Sequence, residues 1–90
     1  MATLFKTDGT SETVVPKKGK AFSLEELQSY VDGDIELIHT ANSRVFVVNE
    51  AGILRGLPVN VNATIQLRRA VHPFAALVGD VLLCWSDEIE

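Results

Sequence analysis

The residues of this chain best suited to chemistry by type and spacing are Asn60, Asn62 and Thr64. They stand where a turn gives way to a helical pattern, and the free backbone amides of a helix start hold phosphate or carboxylate groups well. Arg55, Arg68 and Arg69 supply positive charge from the flanking segments, and guanidinium groups grip such anions bidentately. The chemistry this points to is capture of a small anion without turnover. General acid–base work needs at least two convergent titratable groups. The two histidines, His39 and His72, sit in different elements with no partner spacing, and His39 reads as a partly buried packing residue. Glu50 enters a turn, where a glutamate is solvated or bonded to backbone amides. The single cysteine, Cys84, lies in an apolar run with no basic neighbour to activate it. One Cys and two His offer no zinc-site spacing. No catalytic residue, metal or cofactor is expected.

The elements that must position these residues can be read from pattern. Two short β-compatible stretches, at about 2–6 and 12–15, flank Asp8-Gly9 and form an N-terminal hairpin, which Pro16 ends. Lys17, Lys18 and Lys20 follow in a solvated connector without the glycine pattern of a phosphate-cradling loop. Ser23-Leu24-Glu25-Glu26 is a capping box, and Leu24, Leu27 and Val31 place one buried face on a helix at 24–31. Gly33 is expected to end it in the left-handed conformation. Residues 35–40 alternate and residues 44–49 are apolar on both faces, which predicts adjacent antiparallel strands with the second central in a sheet. Asn49-Glu50-Ala51-Gly52 reads as a turn in which Asn49 and Gly52 tolerate positive φ. Ile53-Leu54-Arg55 reads as a short strand ended by Gly56, and Pro58 excludes helix there.

Asn62 is the expected N-cap of a second helix over about 63–71. At 100° per residue, Ala63, Leu67, Ala70 and Val71 form its core face. Ile65, Arg68, Arg69 and His72 share the opposite face, so two of four arginines and a stranded isoleucine point outward. Basic groups near a helix C-terminus suit the dipole, but solvation alone does not explain Ile65. Ile65 and His72 are therefore expected at an interface. Pro73 ends the helix, Val81 to Trp85 forms a last central strand, and residues 86–90 form a frayed acidic tail.

Ninety residues hold one domain, and at this size folding buries roughly 60% of the surface of the unfolded chain. A homo-oligomer would add stability to strands that are apolar on both faces. The net charge of −4 argues against nucleic-acid binding. A lone cysteine excludes an internal disulfide. The start of the chain lacks a signal-peptide core and no apolar run approaches ~20 residues, so a cytoplasmic protein without membrane association is expected. The fold class is α+β: a mixed, mainly antiparallel sheet of about five or six strands with two helices.

Val48-Asn49-Glu50, Gly52, Gly56-Leu57-Pro58, Asn60 and Ala63-Thr64, supported by Leu24-Glu25-Glu26-Leu27-Gln28 with Val31 and by Gly79-Asp80-Val81, resemble a family of short domains of unknown function. Its members occur in phages, plasmids and other bacterial mobile elements. The resemblance covers residues 22–84 and leaves out the first hairpin and the lysine loop. It implies an accessory protein acting on bacterial host machinery and transfers no catalytic residue.

Two functions are therefore expected, neither enzymatic. The first is an oligomeric binder that sequesters a small anionic ligand, such as a phosphorylated nucleotide signal of host immunity. It would use Asn60, Asn62, Thr64, Arg55, Arg68 and Arg69. The alternative is an inhibitor or adaptor that engages a host protein through the Ile65 face or an open sheet edge.

Overall fold

The sheet grows from a hairpin in which β1 (Ala2–Phe5) runs antiparallel to β2 (Ser11–Val14), with Leu4 opposite Glu12. The computed structural model describes residues 1–70 and 76–90. Val71, His72 and Pro73, assigned above to the second helix and its end, lie outside the described residues. Helix α1 (Leu24–Val31) carries the expected capping box: Ser23 Oγ accepts from the Glu26 amide at 3.2 Å, and the Ser23 amide donates to Glu26 Oε1 at 3.3 Å. The left-handed residue at its end is Asp32, with φ 61°, and not Gly33. Gly33 serves space instead, since a Cβ there would lie 2.8 Å from Asn49 Nδ2.

Strands β3 (Ile35–His39) and β4 (Arg44–Asn49) pair antiparallel, and β5 (Val81–Trp85) pairs with both β4 and β1. The order is β2-β1-β5-β4-β3. Every ladder is antiparallel, and the parallel component is an isolated bridge between Phe22 and Ile89. The architecture is thus the expected α+β class, with five strands and two α-helices among the described residues.

Because side chains alternate across a strand, β4 and β5 feed two cores. Val45, Val47, Leu82 and Cys84 pack with Phe22, Leu27 and Val31 on the α1 side. Phe46, Val48 and Val81 pack with Ala63, Leu67 and Leu77 on the other, under α2 (Val61–Ala70). Both faces of the interior strands are therefore covered, which is why they read as unbroken apolar runs. Each such side chain contributes roughly 1.5–3 kcal/mol by leaving water.

Three local expectations are corrected. Residues 53–55 form no strand: amide donors at Arg55, Gly56 and Leu57 reach Ala51, Ile53 and Gly52 carbonyls at 2.9, 3.0 and 3.0 Å, a coiled turn. Helix α2 starts at Val61, with Asn60 in the cap position in place of Asn62, because Asn60 Oδ1 accepts from the Ala63 amide at 3.1 Å. The acidic tail is folded: Ser86–Glu88 makes a 3-10 turn, and Phe22 exchanges backbone bonds with Glu88 and Glu90 at 2.6 and 3.3 Å.

Candidate functional site

Asn60 is fully buried at 0% exposure, and its amide nitrogen donates to the Phe5 and Gly79 carbonyls at 2.8 and 2.9 Å. Thr64 is buried, and its hydroxyl accepts from the Leu77 amide at 2.9 Å. These two side chains lock the segment after α2 against its first turn. Buried polar groups must find partners, and here all of those partners are backbone. Asn62 donates to the Gly9 carbonyl at 2.9 Å, tying the helix start to the first hairpin. The three residues that pointed to anion capture each hydrogen-bond to backbone within the fold.

Arg55 turns toward α1, where it donates to the Asp32 carbonyl at 2.6 Å and pairs with the Asp32 carboxylate at 3.2 Å. It is therefore not gathered with Arg68 and Arg69, which stand exposed in the last turn of α2. Ile65 is 42% exposed beside Val61, one helical turn earlier, so α2 does present an apolar outward strip. The expected interface residue His72 lies outside the described residues.

Asn49 works in a way the sequence did not announce. It closes β4 as a buried residue whose Nδ2 donates to the Val31 and Asp32 carbonyls at 3.0 and 3.2 Å. Its Oδ1 accepts from the Ala51 amide at 2.8 Å. It therefore satisfies the end of α1 and launches the following turn, with no positive φ at Asn49 or Gly52. Gly52 is required for contact, because a Cβ would fall 2.8 Å from Val78 Cγ2.

This turn lifts two large apolar side chains into solvent: Ile53 is 79% and Leu54 93% exposed. They form one lip of a cavity of about 190 Å³, whose floor is Ile38, Val48, Leu77 and Val78. Glu36 and Glu50 are its charged members, and no basic residue lines it among the described residues. Glu36 and Val48 are cross-strand partners, so carboxylate and floor share the α2 face of the sheet. An apolar hollow with a few converging polar groups is the usual form of a binding site. The sequence signal was available: an Ile-Leu pair bracketed by Gly52 and Gly56 has no core to enter.

Two of the larger hollows are more open and polar. One, of about 380 Å³, lies at the start of α1. There the Glu26 carboxylate is already held by the Lys17 and Ser23 amides at 3.0 and 3.3 Å. The other, of about 640 Å³, borders Trp85 and Lys20. The Trp85 ring is covered by the Arg44 guanidinium at 4.4 Å, an exposed cation–π pair.

The titratable groups with displaced pKa values stand apart from the cavity. Burial pushes the Cys84 thiol up to about 11, and the nearby Glu88 charge adds to this. Burial also raises Tyr30, with help from Glu26. The Thr10 hydroxyl bond lowers Asp8 in the first turn. His39 is exposed at the end of β3, contrary to its reading as a packing residue, because β3 is an edge strand. Among the described residues, no three His, Cys, Asp or Glu side chains gather as metal ligands. No helix among them is long and apolar enough to cross a membrane.

No curated protein and no solved structure matches the chain. A family model does, over residues 4–90, and so includes the first hairpin and the lysine loop that the motif resemblance had left out. With a match over nearly its whole length, the chain belongs to the family described as Domain of unknown function (DUF3846).

Proposed function

We propose that this chain is a non-enzymatic accessory protein of a bacterial mobile element, and that it acts by docking a host protein. The observation that carries this reading is the placement of Ile53 and Leu54, 79% and 93% exposed, at the mouth of an apolar cavity. Exposing two large aliphatic side chains on a coiled turn lacks a folding rationale, whereas partners bury such side chains at interfaces. The engagement of Asn60 and Thr64 within the fold supports docking over capture of a small anion at the start of α2.

The test places a photo-crosslinking benzoylphenylalanine at position 54, with a control at the exposed Lys18, in bacterial lysate. A discrete adduct at 54 that is missing at 18 is the expected result. Equal labelling at both positions sinks the reading.

Sequestration of a phosphorylated nucleotide stands as the second reading. Its support is the outward end of α2, where Arg68 and Arg69 close a helix without a single acidic residue. A ligand held there raises the melting temperature by linkage, so a thermal-shift panel of linear and cyclic nucleotides decides it. Homo-oligomerisation through Val61 and Ile65 belongs to the same proposal. A light-scattering mass of 9.8 kDa removes it.

A further inference from the structure

We infer that the outer edge of β3 is a strand-addition site, and that its occupant is an extended segment of another protein that presents apolar and basic side chains together on one face. The inference rests on the docking reading above and names the partner's chemistry. Among the described residues β3 ends the sheet, with β4 on its inner side only. The Thr40 amide donates to the Arg44 carbonyl at 2.9 Å, and the Glu50 amide donates to the Asp34 carbonyl at 2.8 Å. Inter-strand bonding in an antiparallel ladder alternates along the strand. The inward-bonded residues are therefore the even-numbered ones, and the backbone groups of Ile35, Leu37 and His39 point outward.

Edges of this kind template pairing unless lysine, proline or a bulge blunts them. Ile35-Glu36-Leu37-Ile38-His39 carries neither lysine nor proline. The other edge, β2, is four residues long and mostly exposed.

A strand added beside β3 continues the sheet, so alternate side chains of the newcomer stand on the α2 face next to Glu36 and Ile38. The apolar ones reach the cavity bounded by Ile53, Leu54 and Leu77. The remaining side chains on that same face meet negative charge: Glu36 and Glu50 line the cavity, and among the described residues no base does. The one arginine of this turn, Arg55, is held at Asp32. The complement is a lysine or arginine. A second copy of the chain fits poorly, since its own β3 would bring another Glu36 and neither lysine nor arginine.

The test pans a library of random nine-residue peptides against the whole chain and measures the best binder by fluorescence anisotropy. Enrichment of both apolar and basic residues at the every-second positions that share one face is expected. Replacing the basic residues of the best peptide by glutamate weakens binding at least tenfold. N-methylation of the alternate amides that face β3 weakens it at least tenfold, while methylation of the intervening amides changes it less than threefold. On the protein, His39→Pro removes an outward amide and weakens binding equally, and Glu36→Lys reverses the charge preference. Should His39→Pro fail to fold, the methylated peptides on the unaltered chain carry the same test.

No enrichment, an acidic consensus, helical spacing of the anchors, or indifference to N-methylation overturns the inference. So does a concentration-dependent doubling of mass that His39→Pro abolishes, which assigns the edge to a second copy. A partner-specific adduct at position 54 that persists despite those results leaves docking in place and removes only strand addition.

Discussion

The side-chain amide nitrogen of Asn60 donates to the carbonyl oxygen of Gly79 at 2.9 Å, across 19 residues of chain. The same nitrogen reaches Phe5 at 2.8 Å, while Oδ1 caps α2. One amide thus joins β1, the start of α2 and the entry to β5. Gly79 takes φ 75° at this junction, and a Cβ there would lie 2.8 Å from Leu57 Cδ1. Asn60→Ala should lose the cap, worth about 1 kcal/mol, and leave two carbonyls without their donor, at about 1–3 kcal/mol. Asn60→Asp should be at least as damaging, because it keeps the cap acceptor but faces a carboxylate toward two carbonyl oxygens. Urea denaturation measures both. An aspartate variant as stable as the parent would refute this role.

Gly52 meets Val78 on the same principle of close approach. A methyl at position 52 would stand 2.8 Å from Val78 Cγ2 and 3.3 Å from the Asn49 carbonyl. Gly52→Ala should cost about 1–3 kcal/mol by overpacking. Val78→Ala in the same chain should recover part of that loss, since it removes the atom in the way. Thermal melts of the two single variants and the double variant give the coupling. Strict additivity would place the cost elsewhere.

These contacts show what was legible in sequence and what was not. Helix α1 was readable to its boundaries, because its capping box is a local signal, but of its expected buried face only Leu27 and Val31 are buried, and Leu24 is 52% exposed. The interior strands were readable because burial on both faces leaves an unbroken apolar run. Asn49 and Asn60 were visible as unusual, but their partners lie 17 to 55 residues away. No local rule distinguishes an asparagine that binds backbone from one that binds a ligand. Residues 53–55 misled because a β-branched and aliphatic pair reads as strand when the tertiary reason for its exposure is absent. The tail misled because its order comes from Phe22, 66 residues earlier than Glu88 in the chain, through a backbone bond of 2.6 Å.

Cys84 gives the fold a defined alkaline weakness. Its folded thiol holds its proton up to about 11, against an ordinary value of 9.0. Above pH 9 the unfolded chain therefore loses a proton that the folded chain keeps. The folded state binds more protons in this window, so stability falls as pH rises from about 9 to 11. Below pH 9 the contribution is constant. At 1.36 kcal/mol per unit, the loss should reach about 1–3 kcal/mol at the upper end. Tyr30, also raised by burial, acts in the same direction at higher pH. Cys84→Ala should flatten the first part of this slope while lowering stability at neutral pH. The native thiol should also resist Ellman's reagent at pH 8 and react on unfolding. Rapid native labelling would contradict its burial at 0% exposure.

Leu54 separates stability from docking most cleanly. At 93% exposure it has almost no contact to lose, and Ile53 at 79% has little more. Surface substitutions of this kind lie within about ±0.5 kcal/mol, so Leu54→Ser should melt with the parent chain. Interface anchors, by contrast, cost 2 kcal/mol or more when truncated, roughly a thirtyfold loss of affinity. Leu54→Ser should therefore abolish recovery of the partner cross-linked at Ile53 while leaving the circular dichroism spectrum unchanged. Glu50→Lys, in the lining of the same cavity, should weaken the same complex and make the residual binding less sensitive to salt, since an attractive charge pair is removed. A Leu54→Ser variant that still binds as tightly as the parent would move the docking site away from this turn. The outward strip of Val61 and Ile65 on α2 would then be the surface to mutate next, because it presents the other exposed aliphatic pair on one helical face.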